Sequence, residues 1–122
     1  MKTKLVMESR ENDGELVVKT VSALKKESDN SIIYKFIDEF GKSTIEIFKN
    51  SVIISREGAI NNSLILKKGM TTPFDYDLGF ISTSLDLFTK ELDISENKLD
   101  AVYVLYQGGE LVNNINLSIY EK

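Results

Sequence analysis

SVIISREGAINNSLILKKG, residues 51–69, is two apolar runs on either side of Gly58, with an arginine where the alternation expects an apolar residue. Val52, Ile53 and Ile54 are β-branched, a composition that suits a pleated and buried surface better than a helix. Side chains alternate across a strand, so Val52, Ile54 and Arg56 share one face and Ile53 and Ser55 the other. Gly58 supplies the turn, and Leu64, Ile65 and Leu66 form the returning run before Lys67-Lys68-Gly69. If the first face points inward, Arg56 is inside. Its guanidinium cannot lose its proton there and needs a carboxylate, carbonyls or an anionic ligand. The other reading, equally open at this point, is a strand that frays at Ser55 and lets Arg56 reach water.

Working outward, the flanking chain repeats this alternation. Lys2 to Ser9 alternates weakly, Asn12-Asp13-Gly14 is a hairpin signal, and Glu15 to Leu24 is rich in valine and threonine. Lys25 to Asn30 reads as a polar turn. Ile32, Tyr34, Phe36 and Phe40 then alternate with Ile33, Lys35, Ile37 and Glu39, and Gly41-Lys42 turns the chain into a strand around Ile45 and Ile47. Pro73 marks an irregular approach to the segment that follows it. In that segment, Leu78, Ile81, Leu85, Phe88 and Leu92 recur at helical spacing, yet Gly79 and Ser82-Thr83-Ser84 are poor helix interior, so one long or bent strand is favoured. Leu99, Ala101, Tyr103 and Leu105 face one way and Val102, Val104 and Tyr106 the other, a strand apolar on both sides. After Gly108-Gly109, Leu111 to Tyr120 alternates with one wet face. Short strands separated by turn signals predict an all-β sandwich or barrel rather than an α/β protein, forming a single domain over residues 1–122. Closure would remove the exposed edges that an open sheet must protect.

The composition narrows the function. The 122 residues are enough for one core, and 42% hydrophobic with 28% charged residues is ordinary for a globular protein. Fifteen basic against nineteen acidic residues give a net charge of -4, with no basic run longer than a pair, so neither nucleic acid nor an anionic membrane is an expected partner. There is no cysteine and no histidine, which removes thiolate and imidazole chemistry and the common zinc sites. The sequence shows no continuous apolar stretch of a signal peptide or bilayer span, and a cytoplasmic protein is expected.

The hairpin Ile54-Ser55-Arg56-Glu57-Gly58, followed by Ser63-Leu64-Ile65-Leu66 and Gly69, resembles the Arg-x-Gly hairpin of the YwiB-like family of small bacterial proteins. The tail, with Tyr103 and Leu105, then Asn114 and the alternating Leu117 and Ile119, is similar to that family's closing hairpin. The resemblance implies an all-β, calycin-like (lipocalin-like) antiparallel barrel of about eight strands whose biochemical role is unassigned. The family's threonine-proline-aromatic-glycine segment is matched at Thr72-Pro73-Phe74, but Asp75-Tyr76-Asp77-Leu78 intervenes before Gly79, which leaves the register there open.

A barrel of this size is either filled by its own side chains or holds one small ligand. In the ligand reading, Arg56 meets an acidic head group while Tyr103, Phe36 and Ile54 line an apolar body. In the other, Arg56 pairs with an internal carboxylate and the rest is core. Asp75 with Asp77, and Glu91 with Asp93, are carboxylate pairs that could hold Mg²⁺ or Ca²⁺ or serve as acid and base, although solvated surface explains them better. Lys25-Lys26 and Lys67-Lys68 read as solvated turn residues. No phosphate loop or activated serine is present, so no catalytic residue, metal or cofactor is nominated and a non-enzyme is expected. Two functions follow: a binder of a small anionic or amphipathic molecule, or a filled barrel acting as an interaction module, self-association included.

Overall fold

The computed structural model describes residues 1–58, 61–77 and 82–122, with the backbone alone described at Tyr76 and Asp77. Ten strands follow one another: β1 (Lys2–Glu11), β2 (Val17–Glu27), β3 (Ile32–Asp38), β4 (Gly41–Ile47), β5 (Ser51–Gly58), β6 (Asn61–Lys67), β7 (Thr71–Asp77), β8 (Ser82–Ser95), β9 (Lys98–Gln107) and β10 (Glu110–Glu121). Each pairs antiparallel with its neighbours in the chain, and β1 pairs with β10, so the sheet closes on itself. The expected antiparallel barrel is therefore present, with ten strands rather than about eight. Much of the difference is β7, which contains Pro73. Its ladder to β6 begins only at Asp75, so the missing proline N–H lies outside that ladder.

The helically spaced stripe is a strand over its described part; Leu78, Gly79 and Ile81 lie outside the described residues. A bulge between Thr89 and Glu91 shifts the register, so Leu85 and Leu87 face inward before it and Leu92 and Ile94 pack on the core after it. That one extra residue brings Leu85 and Leu92, seven apart, to the same face, as two helical turns would, while Phe88 between them is half-buried and does not join the core.

One end of the barrel is solid. Leu5, Val52, Leu66, Leu87 and Leu99 are all at most 1% exposed there, and each such side chain contributes about 1.5–3 kcal/mol by leaving water. Toward the other end, where β1 joins β2, β3 joins β4 and β9 joins β10, inward positions become polar. Gly41 of β4 and Gly58 of β5 stand opposite each other there, each without a side chain between the two backbones. Gly41 has a φ of 129°, and a Cβ built on it would overlap the Glu57 carbonyl oxygen. Gly41→Ala should therefore destabilise the fold by about 2 kcal/mol or more in urea unfolding, from backbone strain and overlap together. A change under 0.5 kcal/mol would contradict that account.

Candidate functional site

The polar end opens into a cavity of about 620 Å³ inside the barrel. Phe36, Ile54, Arg56 and Tyr103 all line it, together with Ile45, Leu64, Phe74, Leu85 and Ile115 as apolar wall. Arg56 faces inward for the reason its strand suggested: Val52 and Ile54 are on the same side, and no fraying intervenes before Gly58. The guanidinium is half-buried, with its central carbon 5.5 Å from the centre of the Phe40 ring. Among the described residues, no carboxylate lies within ion-pair distance of it.

Lys19 lies on the same rim but is already engaged. Its ammonium pairs with Asp38 and sits 5.3 Å from the Phe40 ring centre, so one aromatic ring is faced by two cations. Burial pushes the Asp38 carboxyl upward, but the Lys19 ammonium, the Phe40 N–H and the more distant Arg56 outweigh it and hold the group below its ordinary value. Phe40 is a turn residue here, not part of the strand its alternation suggested, and its N–H donates to Asp38 Oδ1 at 2.9 Å. Deeper in the cavity Tyr103 is 7% exposed. Burial, followed by the charge of Glu11, pushes its hydroxyl up to about 12.

Sequence reading missed Lys19, Ser43 and Asn62 on this wall. The alternation running back from Val21, Ile45 and Leu64 would have pointed to each. Ser43 is 4% exposed and its Oγ has no hydrogen-bond partner among the described residues.

The opposite end is stoppered by charge. Lys25 is not a solvated turn residue: β2 continues through it, and its side chain is 8% exposed. Its ammonium pairs with Glu121 at 2.7 Å and Glu27 at 3.1 Å, while Thr3 Oγ1 and Tyr34 Oη donate to Glu121 at 2.8 and 3.0 Å. These donors hold the Glu121 carboxyl below its ordinary value despite the upward pull of burial. Hydrogen bonding to Glu121 raises Lys25, and burial pushes the Tyr34 hydroxyl up to about 12.

The carboxylate pairs nominated from sequence gather no site. Asp75 is exposed and accepts from Ser84 Oγ at 2.6 Å, Glu91 pairs with Lys68 at 3.6 Å, Asp93 is exposed, and the side chain of Asp77 lies outside what the structure describes. Among the described residues, no three acidic groups close around a point that could hold a metal ion. Lys67 and Lys68 are exposed, as expected.

Architecture and cavity together define a class: a closed, ten-stranded antiparallel barrel with an interior open at one end. Within that class, residues 1–119 match the family described as a domain of unknown function, DUF1934, and the chain belongs to that family. The crystal structure of the ywiB protein from Bacillus subtilis is similar to it, with a TM-score of 0.69 and 17% identity, covering 99% of this chain and 93% of that one. At that identity the likeness is one of fold, and the YwiB-like resemblance read from the two hairpins is borne out. No curated protein matches the chain.

The shifted groups set how stability depends on pH. Asp38 and Glu121 are depressed when folded, so their contribution is complete above the unfolded carboxylate values, near about 4, and is lost as the pH falls through the folded ones. Lys25, Tyr34 and Tyr103 are raised, so theirs is complete below about 10 and is lost as the pH rises further. With no histidine, thermal melts should be level between these limits. Glu121→Gln should lower the plateau by about 1–3 kcal/mol and flatten the acid limb. An unchanged acid limb would assign it elsewhere.

Proposed function

We propose that this protein is a non-enzymatic, cytoplasmic binding module that holds a small anionic or amphipathic molecule inside its barrel. The observation that carries this reading is Arg56, a permanent cation on the wall of an open cavity with no acidic partner among the described residues. Phe36, Ile54 and Tyr103 offer the apolar body its contacts, and the cavity volume falls in the range of small-molecule sites. The test uses 1-anilinonaphthalene-8-sulfonate, an amphipathic monoanion whose emission rises in apolar surroundings. Saturable binding to the folded protein is expected, weakened about tenfold or more by Arg56→Gln with the melting temperature little changed. Binding that ignores Arg56→Gln would remove the basis of the reading.

A second reading, an interaction module that self-associates, is favoured by one feature. Leu16, Val17, Leu111 and Val112 are all 45% exposed or more and lie at the open end of the barrel. Light scattering should then give a mass above that of one chain, reduced to a monomer by Val17→Asp with Leu111→Asp. A monomer for the unaltered protein at high concentration would exclude it.

A further inference from the structure

Three inward polar side chains stand side by side on three adjacent strands. Ser43 of β4 is opposite Arg56 of β5, and Arg56 is opposite Asn62 of β6. All three line the cavity, and none has a hydrogen-bond or ion-pair partner among the described residues. Arg56 and Asn62 are half-buried and reach water, but Ser43 Oγ is both orphaned and out of water's reach. A buried hydroxyl left this way costs stability, and the row lies about 10 Å from end to end at the spacing of neighbouring strands.

We infer that this row is a cradle for a carboxylate, so that the ligand of the barrel is a monocarboxylate with an aliphatic or aromatic body; the inference rests on the binding reading above. A carboxylate offers two oxygens with about four acceptor positions. The planar guanidinium fork fills two of them, and the flanking Ser43 hydroxyl, turned about its one side-chain bond, and the Asn62 amide supply the rest. The charge also selects. Lys19 is committed to Asp38, so among the described residues of the cavity wall Arg56 is the cation without an ion-pair partner, and Glu11 adds a negative charge elsewhere on that wall. A dianionic head such as a phosphate monoester would carry one charge without a partner. The head stays near the open end, because the far end is filled and its own charges are paired.

The test is calorimetric titration with decanoate, decanol and decyl phosphate at neutral pH, alongside thermal melts of the unliganded protein. Decanoate should bind about tenfold or more tightly than decanol, and decyl phosphate more weakly than decanoate. Ser43→Ala and Asn62→Ala should each weaken decanoate about fivefold or more and leave decanol unchanged. The unliganded melting temperature of Ser43→Ala should stay level or rise, since an unpaired hydroxyl is removed. A serine with a merely structural role would give the reverse, a lower melting temperature and unaltered selectivity. Equal binding of decanoate and decanol would overturn the carboxylate cradle while leaving a barrel that binds amphiphiles. Tighter decyl phosphate would overturn it in favour of a phosphate head. Failure of all three, together with the naphthalenesulfonate probe, would overturn both readings.

Discussion

The ladder between β1 and β10 is the contact that gives this protein an inside. It runs from Leu5 opposite Glu121 to Glu11 opposite Ile115 and joins the two ends of the chain. Without it the remaining strands would form an open meander with two edges, and the inward face would have nothing to face. The same closure assembles the charged stopper, since Glu121 ends β10 while its partners Thr3, Lys25 and Tyr34 belong to β1, β2 and β3. Because the paired residues lie so far apart in sequence, closure demands the largest loss of chain entropy of any pairing in the barrel. The stopper and the ladder can therefore form only together.

The two ends solve the problem of buried polarity in opposite ways. At the closed end, Lys25, Glu121, Tyr34 and Thr3 satisfy one another, and the shifts of their ionisation all favour the state in which they are paired. At the open end, the polar side chains of Arg56, Ser43 and Asn62 form a row with no hydrogen-bond or ion-pair partner among the described residues. A self-paired charge network gives geometry and stability, whereas an unpaired row keeps its donors available for something from outside. Ten strands rather than eight widen the lumen enough for the open half to remain unfilled.

The period of two was legible wherever a strand was long enough to show it. Val52 and Ile54 made an inward Arg56 one of two open readings, with Phe36, Ile54 and Tyr103 as its wall, and the unbroken run of β5 to Gly58 decides between them. Lys25 was illegible because a lysine pair before Glu27 and Ser28 has the composition of a turn. Its partner Glu121 is 96 residues away, and no local pattern connects them. The row at the open end was half-visible: Arg56 interrupts a run of apolar residues, whereas Ser43 and Asn62 take on meaning only through the cross-strand register. Residue type announces a charge in an apolar run, but only pairing reveals which neighbours share its surface.

The ring is not equally tight all the way round. The β2–β3 ladder stops at Leu24 opposite Lys35, although β2 runs back to Val17 and β3 on to Asp38. Beyond that point the Lys19–Asp38 pair, and Lys19 against the Phe40 ring, take the place of backbone bonds. A similar seam between β6 and β7 lies nearer the closed end, where Thr72 Oγ1 donates to the Ile65 carbonyl at 2.7 Å and the Lys67 N–H reaches past β7 to Thr89 Oγ1 of β8 at 3.2 Å. Seams held by side chains part at lower cost than those held by a full ladder. The first of them runs beside Phe36 on the cavity wall, so one side-chain-held seam borders the interior space at the end away from the charged stopper.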